Sequence, residues 1–420
     1  MKNLFIALIV TLTLTASIIP ASAGSLEDLQ KQVDELNSQM KTLKEKENKK
    51  AIPESSDDES YLKKTWDRTR IGGYGELDYI FRRENGNGNG GNTFDPHRFV
   101  LYVNSDLADW LSLNAELEWE HGGIRDKVED NELSGEVAVE QAFLDFKIAR
   151  PFNFKAGIML APVGAINLYH EPTNFNSTER PELDRFLIPS TWSEMGAGIH
   201  GSLGSKVDYQ LLVLNGLNGQ EFSAKNGIRD GRQNLNKDIN RGKAVSGRLE
   251  IRPITNLYTN FSFYTGNSAP TGKSAAYTTI AAFDGKYSIG DFDIAGEYVH
   301  VYQDNPSALG VSDIGNNMSG YWVEGAYHFM PKSLKKGKLS EADAILFARY
   351  SEFNTQDGGA LDSSRVSGRF DRNYATFGIA FKPVTAMVIK ADYQIYDDRR
   401  KAGEIPLDND KFQITLGFVF

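Results

Sequence analysis

The sequence lacks cysteine: none of its 420 residues can form a disulfide bond, a thiolate metal site, a c-type haem attachment or a lipid-modified N-terminal cysteine. After residue 23 it also lacks any apolar run of about 20 residues, the length that a membrane-spanning helix requires. With a mean hydropathy of −0.41, a helical membrane protein is excluded. Basic residues are in deficit, because 46 Lys and Arg against 56 Asp and Glu give a net charge of −10. Nucleic-acid binding, which requires a basic surface, is therefore not expected.

The sequence does contain strict alternation, which is clearest in the last ten residues, 411–420. Side chains of one parity are apolar and those of the other are polar or small: Phe412, Ile414, Leu416, Phe418 and Phe420 against Gln413, Thr415 and Gly417. This period of two predicts an extended strand with one apolar face. A strand of a soluble sandwich and a strand of an outer-membrane barrel both fit the pattern. Phe420 also resembles the terminal signal that bacterial outer-membrane proteins present to the barrel assembly machinery.

The first 68 residues differ in character from the rest. Residues 1–23 combine a positively charged start, an apolar stretch and the small-residue motif Ala21-Ser22-Ala23, which predicts a cleaved secretory signal peptide. In residues 24–50 apolar side chains recur at intervals of three and four, which predicts a short α-helical coiled coil: Leu26, Leu29, Val33, Leu36, Met40 and Leu43. Because fewer than three heptads are present, a single amphipathic helix lying on the following domain is the alternative. Residues 51–68 are a polar, acidic linker.

Period-two alternation then fills residues 69–420. In residues 111–121, for example, Leu117 and Trp119 alternate with Glu116, Glu118 and Glu120. Each segment is about as long as a tilted strand that crosses a bilayer. Sixteen strands are predicted: 70–83, 94–107, 111–121, 136–149, 153–161, 193–203, 206–215, 244–253, 257–266, 276–289, 292–304, 319–330, 341–353, 371–382, 386–397 and 411–420.

The connections between these strands fall into two classes. Tight turns are predicted at 108–110, 150–152, 204–205, 254–256, 290–291 and 383–385. Long polar loops lie alternately between them, at 84–93, 122–135, 162–192, 216–243, 305–318, 354–370 and 398–410. Short periplasmic turns alternating with long external loops are typical of a bacterial outer-membrane barrel. The predicted fold is therefore all-β, a 16-stranded antiparallel transmembrane β-barrel, with the coiled coil before it in the periplasm.

The loop 162–192 is the longest and is rich in apolar residues. Long loops are usually functional or disordered, and this composition argues against disorder. We expect it to fold into the lumen, pack its apolar side chains on the inner wall and narrow the passage with its polar ones. An external cap or a contact between subunits is the alternative. The candidate constriction residues are His170, Glu171, Glu179, Arg180, Glu182, Asp184 and Arg185.

Parity assigns a further set of charged side chains to the lumen, because each lies between apolar neighbours on its strand. They are Arg98, Glu116, Glu118, Glu120, Arg248, Glu250, Arg252, Glu297, Glu324, Arg349, Lys390 and Asp392. Any one of them could simply be a hydrated wall residue. As a set they predict a wet, charged interior in which acidic and basic strands face each other across the pore.

Three segments resemble the phosphate-selective porin O/P family of Gram-negative outer membranes: residues 150–164, Asn174-Phe175-Asn176 and residues 184–201. The coiled-coil leader before a barrel that ends in Phe420 is similar as well. The resemblance covers residues 69–420 in layout and is strongest across 150–203. It implies a homotrimer of 16-stranded barrels with a constricting third external loop and anion selectivity from arginines and lysines along the pore. The residues of this sequence that could correspond to those basic pore residues are Arg180, Arg185, Arg248 and Arg252.

These observations predict a porin in the cell outer membrane, a water-filled channel for passive diffusion of small hydrophilic solutes or ions. The expected partners are outer-membrane lipid, lipopolysaccharide, the assembly machinery and the other subunits of a homotrimer. A barrel that sheaths a partner such as a multihaem cytochrome is the alternative. An outer-membrane hydrolase is a weaker one, because His200 lies near Ser193 and Ser202 without marking a triad. No enzymatic activity, cofactor or metal is expected, since the six histidines lack metal-ligand spacing.

Overall fold

The computed structural model describes Glu35, Ser38 and residues 65–83, 90–123, 135–233, 242–357 and 367–420. The predicted signal peptide lies outside the described residues, as do all of the predicted coiled coil except Glu35 and Ser38 and all of the linker before residue 65. No helix among the described residues is both long and apolar enough to span a bilayer.

Sixteen antiparallel strands form a closed barrel in which each strand pairs with its neighbours in sequence and β16 pairs with β1. The strands are β1 Thr69–Arg82, β2 Gly91–Ala108, β3 Leu111–Glu120, β4 Glu136–Ala149, β5 Phe152–Leu160, β6 Ser193–Leu203, β7 Val207–Asn215, β8 Lys243–Ile251, β9 Leu257–Asn267, β10 Tyr277–Ile289, β11 Phe292–Gln303, β12 Asn317–His328, β13 Asp343–Asp357, β14 Asp371–Val384, β15 Met387–Asp398 and β16 Lys411–Val419. The predicted fold class is confirmed, and no predicted strand boundary is wrong by more than four residues.

Helical structure in the barrel domain is confined to connections. A four-residue α-helix spans Leu183–Phe186. Single 3-10 turns span Gly219–Glu221, Arg229–Gly231, Pro306–Leu309, Gly337–Leu339 and Gly368–Phe370.

Alternation places the apolar side chains on the outside of the barrel. In β12, Tyr321 and Val323 are 38% and 52% exposed, whereas Trp322 and Glu324, which alternate with them, are 6% and 9% exposed. A soluble protein would bury the apolar parity instead. An apolar outer surface around a polar interior matches a barrel that is surrounded by lipid.

The two ends of the barrel differ as predicted, with one exception. At the turn end the connections are two to five residues long, except that residues 329–342 form a longer, lysine-rich segment between β12 and β13. Residues 331–340 of this segment are all exposed. The loop end carries all the other long connections, including residues 161–192 between β5 and β6.

Two β-bulges interrupt the alternation next to the lumen. In the β3–β4 pair, Glu116 lies opposite Gln141 and Leu117 lies opposite Val139, so that Glu140 is an extra residue on β4. A second irregularity lies between Glu76 and Asp78 in the β1–β2 pair. Bulges re-aim side chains, and Glu140 is accordingly buried at 4% exposure.

Gly157 offers a direct test of packing in this wall. Its φ is +139°, and a Cβ there would lie 2.3 Å from the carbonyl oxygen of Ala142 on the neighbouring strand. Gly157→Val should therefore lower the free energy of unfolding by about 2 kcal/mol or more. The measurement is the denaturant midpoint of the refolded barrel, followed by tryptophan fluorescence.

The matched control is Gly325→Val, because a Cβ at Gly325 meets no atom within 4 Å. Its midpoint should stay close to that of the unmodified protein. Equal midpoints for the two variants would contradict this account of the β4–β5 packing.

Candidate functional site in the barrel lumen

Residues 161–192, named here the inward loop, fold into the barrel and are bonded to strands on several sides of it. The Arg98 guanidinium on β2 donates to the His170 carbonyl at 3.0 Å. Arg248 on β8 donates to the Gly164 carbonyl at 2.6 Å. Lys390 on β15 donates to the carbonyl of Ser177 at 2.8 Å. Because β2, β8 and β15 are spread around the barrel, the loop crosses the lumen.

Wall carboxylates hold the same loop by accepting hydrogen bonds from it. Glu297 accepts from the Ala165 N–H at 3.0 Å. Glu324 accepts from the Asn176 side chain at 2.8 Å, and Asp392 accepts from the Thr178 N–H at 2.5 Å. A carboxylate accepting from N–H groups makes a stronger hydrogen bond than a neutral acceptor does.

Apolar packing fixes one side of the inward loop. Its completely buried apolar side chains include Val163, Leu183, Leu187, Ile188 and Trp192. They belong to one cluster with lumen-facing wall residues that include Leu212, Tyr264, Ile280, Val299 and Phe353. This burial, together with the hydrogen bonds, gives the loop a defined position inside the barrel.

A second connection, residues 216–233, also enters the lumen and packs on the inward loop. The Ile228 N–H donates to the Phe186 carbonyl at 3.1 Å. Arg229 donates to the Ser190 carbonyl at 2.8 Å, and Arg232 donates to the Thr191 carbonyl at 2.7 Å. The contact requires glycine at 227, where φ is +59° and a Cβ would lie 2.3 Å from the carbonyl oxygen of Phe186.

The space left inside the barrel is charged on both sides. One cavity holds about 280 Å³ and has Glu76, Asp78 and Glu120 on the wall against Arg180, Arg185 and Arg229 on the loops. A smaller cavity of about 80 Å³ has Glu118, Glu120, Glu136 and Glu140 against Arg180, Arg229 and Arg232. Acidic groups of β1 to β4 therefore face arginines that the two loops carry.

These four arginines, Arg180, Arg185, Arg229 and Arg232, are named the arginine group. Among the described residues no carboxylate oxygen lies within 4.0 Å of their side-chain nitrogens. Three of them donate to neutral groups, as with Arg180, which donates to Ser190 Oγ at 3.1 Å. The fourth, Arg185, lies over the ring of Phe186. Burial and the nearby Arg232 and Arg185 lower the pKa of Arg229. An anion beside these groups would supply the countercharge that their partners do not.

The predicted constriction residues take two kinds of position. Glu179, Arg180, Glu182 and Arg185 line the larger cavity. His170 and Asp184 are instead buried against the wall, where Asp184 accepts from Trp322 Nε1 at 3.2 Å. Glu171 accepts from the Tyr102 hydroxyl at 3.4 Å.

Glu179 pairs with Lys411 at the start of β16. Burial alone would raise the pKa of Glu179, but the Lys411 ammonium lowers it to about 2. This carboxylate therefore stays ionised beside the arginine group across the physiological pH range.

Most of the predicted wall residues contact the inward loop or each other in the lumen. Glu250 accepts from the Tyr169 hydroxyl at 3.2 Å, and Arg349 donates to Ser177 Oγ at 2.5 Å. Glu116, Glu118 and Glu120 lie on β3, and Glu118 and Glu120 line the cavities. Arg252 lies elsewhere: it follows β8 at the turn end, where it pairs with Asp208.

Several residues that line the lumen were not predicted from the sequence. Glu76 and Asp78 could have been found by the parity of β1. Glu140 could not, since the bulge shifts it out of the alternation. Arg229 and Arg232 lie in a loop that carries no periodic signal.

No protein-family model matches the chain. A protein of Aquifex aeolicus (strain VF5) described as uncharacterized is 29% identical over 365 residues, 83% of this chain and 79% of its own length. The outer membrane channel DcaP of Acinetobacter baumannii and the Salmonella typhi OmpF complex with daunomycin each superpose with a TM-score of 0.56 and 12% identity, covering 84% of this chain and 97% of theirs. An anion-selective porin from Comamonas acidovorans gives a TM-score of 0.53 and 10% identity, over 84% of this chain and 99% of that one. The shared feature is the fold, which is that of outer-membrane porins.

Proposed function

We propose that this protein is a porin of the Gram-negative outer membrane, a water-filled channel through which small hydrophilic solutes and ions diffuse passively. The inward loop carries the proposal. It is bonded to strands around the barrel and leaves cavities lined by opposite charges. Barrels of about 16 strands enclose an aqueous lumen, and an inward loop sets the size of solute that can pass.

We also propose that the channel prefers anions. The acidic residues of the wall and the arginine group create an electric field across the passage. Permeating charged or dipolar solutes align with this field. Wall carboxylates near the passage are partly matched by hydrogen bonds, whereas the arginine group has only neutral partners among the described residues. Phosphate is the first anion to test, because guanidinium groups bind it in a bidentate manner and the sequence resembles phosphate-selective porins.

The proposed assembly is a homotrimer in a bilayer of lipid and lipopolysaccharide, inserted by the barrel assembly machinery. The predicted coiled coil in residues 24–50 would lie in the periplasm and join the three subunits. A trimer form is stated for one similar barrel, OmpT of Vibrio cholerae, at a TM-score of 0.51.

The alternative function, a sheath around a multihaem cytochrome, is less well supported. The inward loop and residues 216–233 occupy the lumen and are packed on each other. A partner protein inside the barrel would have to displace both.

The direct test is single-channel recording of the refolded protein in a planar bilayer. We expect stable conductance in steps of three for a trimer. With a salt gradient across the bilayer, the reversal potential should indicate anion preference, and added phosphate should reduce the current. Folded, heat-modifiable protein without any conductance would refute the channel and favour a sheath.

A further inference from the structure

Three buried side chains from separate parts of the chain meet between the inward loop and the wall. Glu116 lies on β3, Glu140 is the extra residue of the β4 bulge, and His170 belongs to the inward loop. They are 2%, 4% and 3% exposed. One ligand atom of each lies within 4.8 Å of the other two.

The ligand atoms of this cluster have no hydrogen-bond partner among the described residues. This holds for Glu116 Oε1, for both carboxylate oxygens of Glu140 and for His170 Nε2. Glu118 Oε1 and the Tyr74 hydroxyl, which are close by, share the property. Buried polar atoms are rarely left unpaired in native proteins, so their concentration here points to a ligand.

The orientation of His170 specifies what kind of ligand. Its Nδ1 lies 3.0 Å from the Asn167 carbonyl oxygen, to which it donates. In the neutral ring Nε2 is then an acceptor, yet it faces Glu140 Oε1 at 3.4 Å. A proton on Nε2 could serve only one of the unpartnered carboxylate oxygens, whereas a metal ion could bind Nε2 and oxygens of both carboxylates at once. Metal-bound histidines characteristically donate their other ring N–H to a carbonyl in this way.

The charge of the region supports the same conclusion. Three carboxylates, Glu116, Glu118 and Glu140, are buried together. Among the described residues no arginine or lysine nitrogen lies within 4.0 Å of their oxygens, and Arg98 is already bonded to a fourth carboxylate, Glu76, at 2.7 Å. Buried carboxylates without matching positive charge are strongly unfavourable, and a divalent cation would offset two of them.

One distance in the cluster matches a small transition-metal ion. Ligands that bind Zn²⁺ at about 2.1 Å with tetrahedral angles lie about 3.4 Å apart, and this is the separation of His170 Nε2 and Glu140 Oε1. The second oxygen of Glu116 is held by Gln141 Nε2 at 2.5 Å, which fixes the direction of the free one. Glu118 and Glu140 also line the cavity of about 80 Å³, which offers a route for the ion.

We propose that Glu116, Glu140 and His170 bind one divalent first-row transition-metal ion, with Zn²⁺ as the first candidate, and that the ion fastens the inward loop to the barrel wall. The two carboxylates come from neighbouring strands and the imidazole from the loop, so the ion joins elements that the chain itself does not connect. The sequence gives no sign of such a site, because its ligands are 24 and 30 residues apart.

A competing group of possible ligands lies nearer the loop end, where Asp95 is close to His97 and His121. It is a weaker candidate because its carboxylate is already engaged: the Asp95 oxygens lie 2.7 Å from His121 Nδ1 and 3.4 Å from His97 Nδ1. It is also partly exposed. Its histidines supply a matched control.

The experiment measures metal bound to the full-length refolded protein after EDTA treatment, equilibration with Zn²⁺ and removal of free metal. We expect about one zinc ion per chain at micromolar Zn²⁺. His170→Gln and Glu140→Gln should each weaken binding at least about 100-fold. The double variant His97→Gln with His121→Gln should bind as tightly as the unmodified protein.

X-ray absorption of the zinc-loaded unmodified protein gives an answer that does not depend on any variant folding. The proposed site has one imidazole ligand, whereas the competing group would show two. One imidazole with oxygen ligands supports the proposal. No bound zinc, two imidazoles, or loss of zinc only in the His97 and His121 variant would each overturn it. Metal content is independent of conductance, so failure here leaves the channel proposal standing.

Discussion

Replacing Arg229 and Arg232 together by glutamate is expected to reverse the ion preference of the channel from anions to cations. Both side chains line the cavity of about 80 Å³ opposite Glu118, Glu120 and Glu136. In the variant the loop positions 229 and 232 would carry the same sign of charge as these carboxylates, while Arg180 would still line the cavity. The field across the cavity would weaken, and its net charge would become strongly negative.

The size of the effect follows from simple electrostatics. Two unit charges about 6 Å apart in water interact by about 0.7 kcal/mol. Exchanging two positive charges for two negative ones changes the free energy of a nearby monovalent anion by roughly four such amounts, and salt screening about halves the result. About 1.4 kcal/mol remains for the anion, and a monovalent cation is favoured by about the same amount. The anion-to-cation permeability ratio should therefore fall by about 2.8 kcal/mol, which corresponds to roughly a hundredfold. The reversal potential in a salt gradient measures this ratio.

The control variant changes the net charge of the protein by the same amount, but at positions outside the lumen. Lys335 and Lys336 lie in the exposed connection at the turn end, and replacing both by glutamate should leave the ratio almost unchanged. If the control shifts the reversal potential as much as the arginine variant does, overall charge and not the arginine group sets the selectivity.

Removing most of the inward loop is expected to raise the single-channel conductance about threefold or more. The barrel permits the change, because Leu160 pairs with Ser193 and the Ala161 N–H donates to the Trp192 carbonyl at 2.9 Å. Residues 163–190 can therefore be replaced by a short Asn-Gly turn that closes the β5–β6 hairpin. The lumen of the 16-stranded barrel would then hold residues 216–233 without the inward loop, and the passage would be much wider.

Solute size provides the second readout of this variant. The measurement is the uptake of neutral sugars of increasing mass into liposomes that contain the protein. Liposomes with the loop variant should admit larger sugars than liposomes with the unmodified protein. Deleting most of the exposed segment 331–340 is the control and should change neither conductance nor size limit. An unchanged conductance in the folded loop variant would mean that another part of the chain limits the flow.

The wall of the barrel was predictable from sequence because a strand between lipid and water must alternate. This constraint revealed Glu116, Glu297 and Lys390 as lumen residues without knowledge of their neighbours. The alternation does not predict the direction of a side chain where a bulge adds a residue, as at Glu140. Parity is a local property, and a bulge is a local exception to it.

The loops were predictable only in part. The apolar content of residues 162–192 indicated a packed loop, but which polar residues would face the passage depends on contacts with distant strands. Asp184 thus meets Trp322 on β12, and Arg229 meets the inward loop at Ser190. Such pairings have no periodic signature, because they arise only when the barrel closes around both loops.

Closure itself has a consequence for the order of folding. Of the pairings around the barrel, only that of β1 with β16 joins strands distant in sequence, and Leu77 lies opposite Leu416 there. Bringing two such distant points together in a flexible chain costs about 5 kcal/mol of entropy. Successive hairpins spread this cost, because each added strand curls the sheet and brings the free edges closer. We therefore expect the β1–β16 seam to form last, with both edges exposed and in need of protection until then.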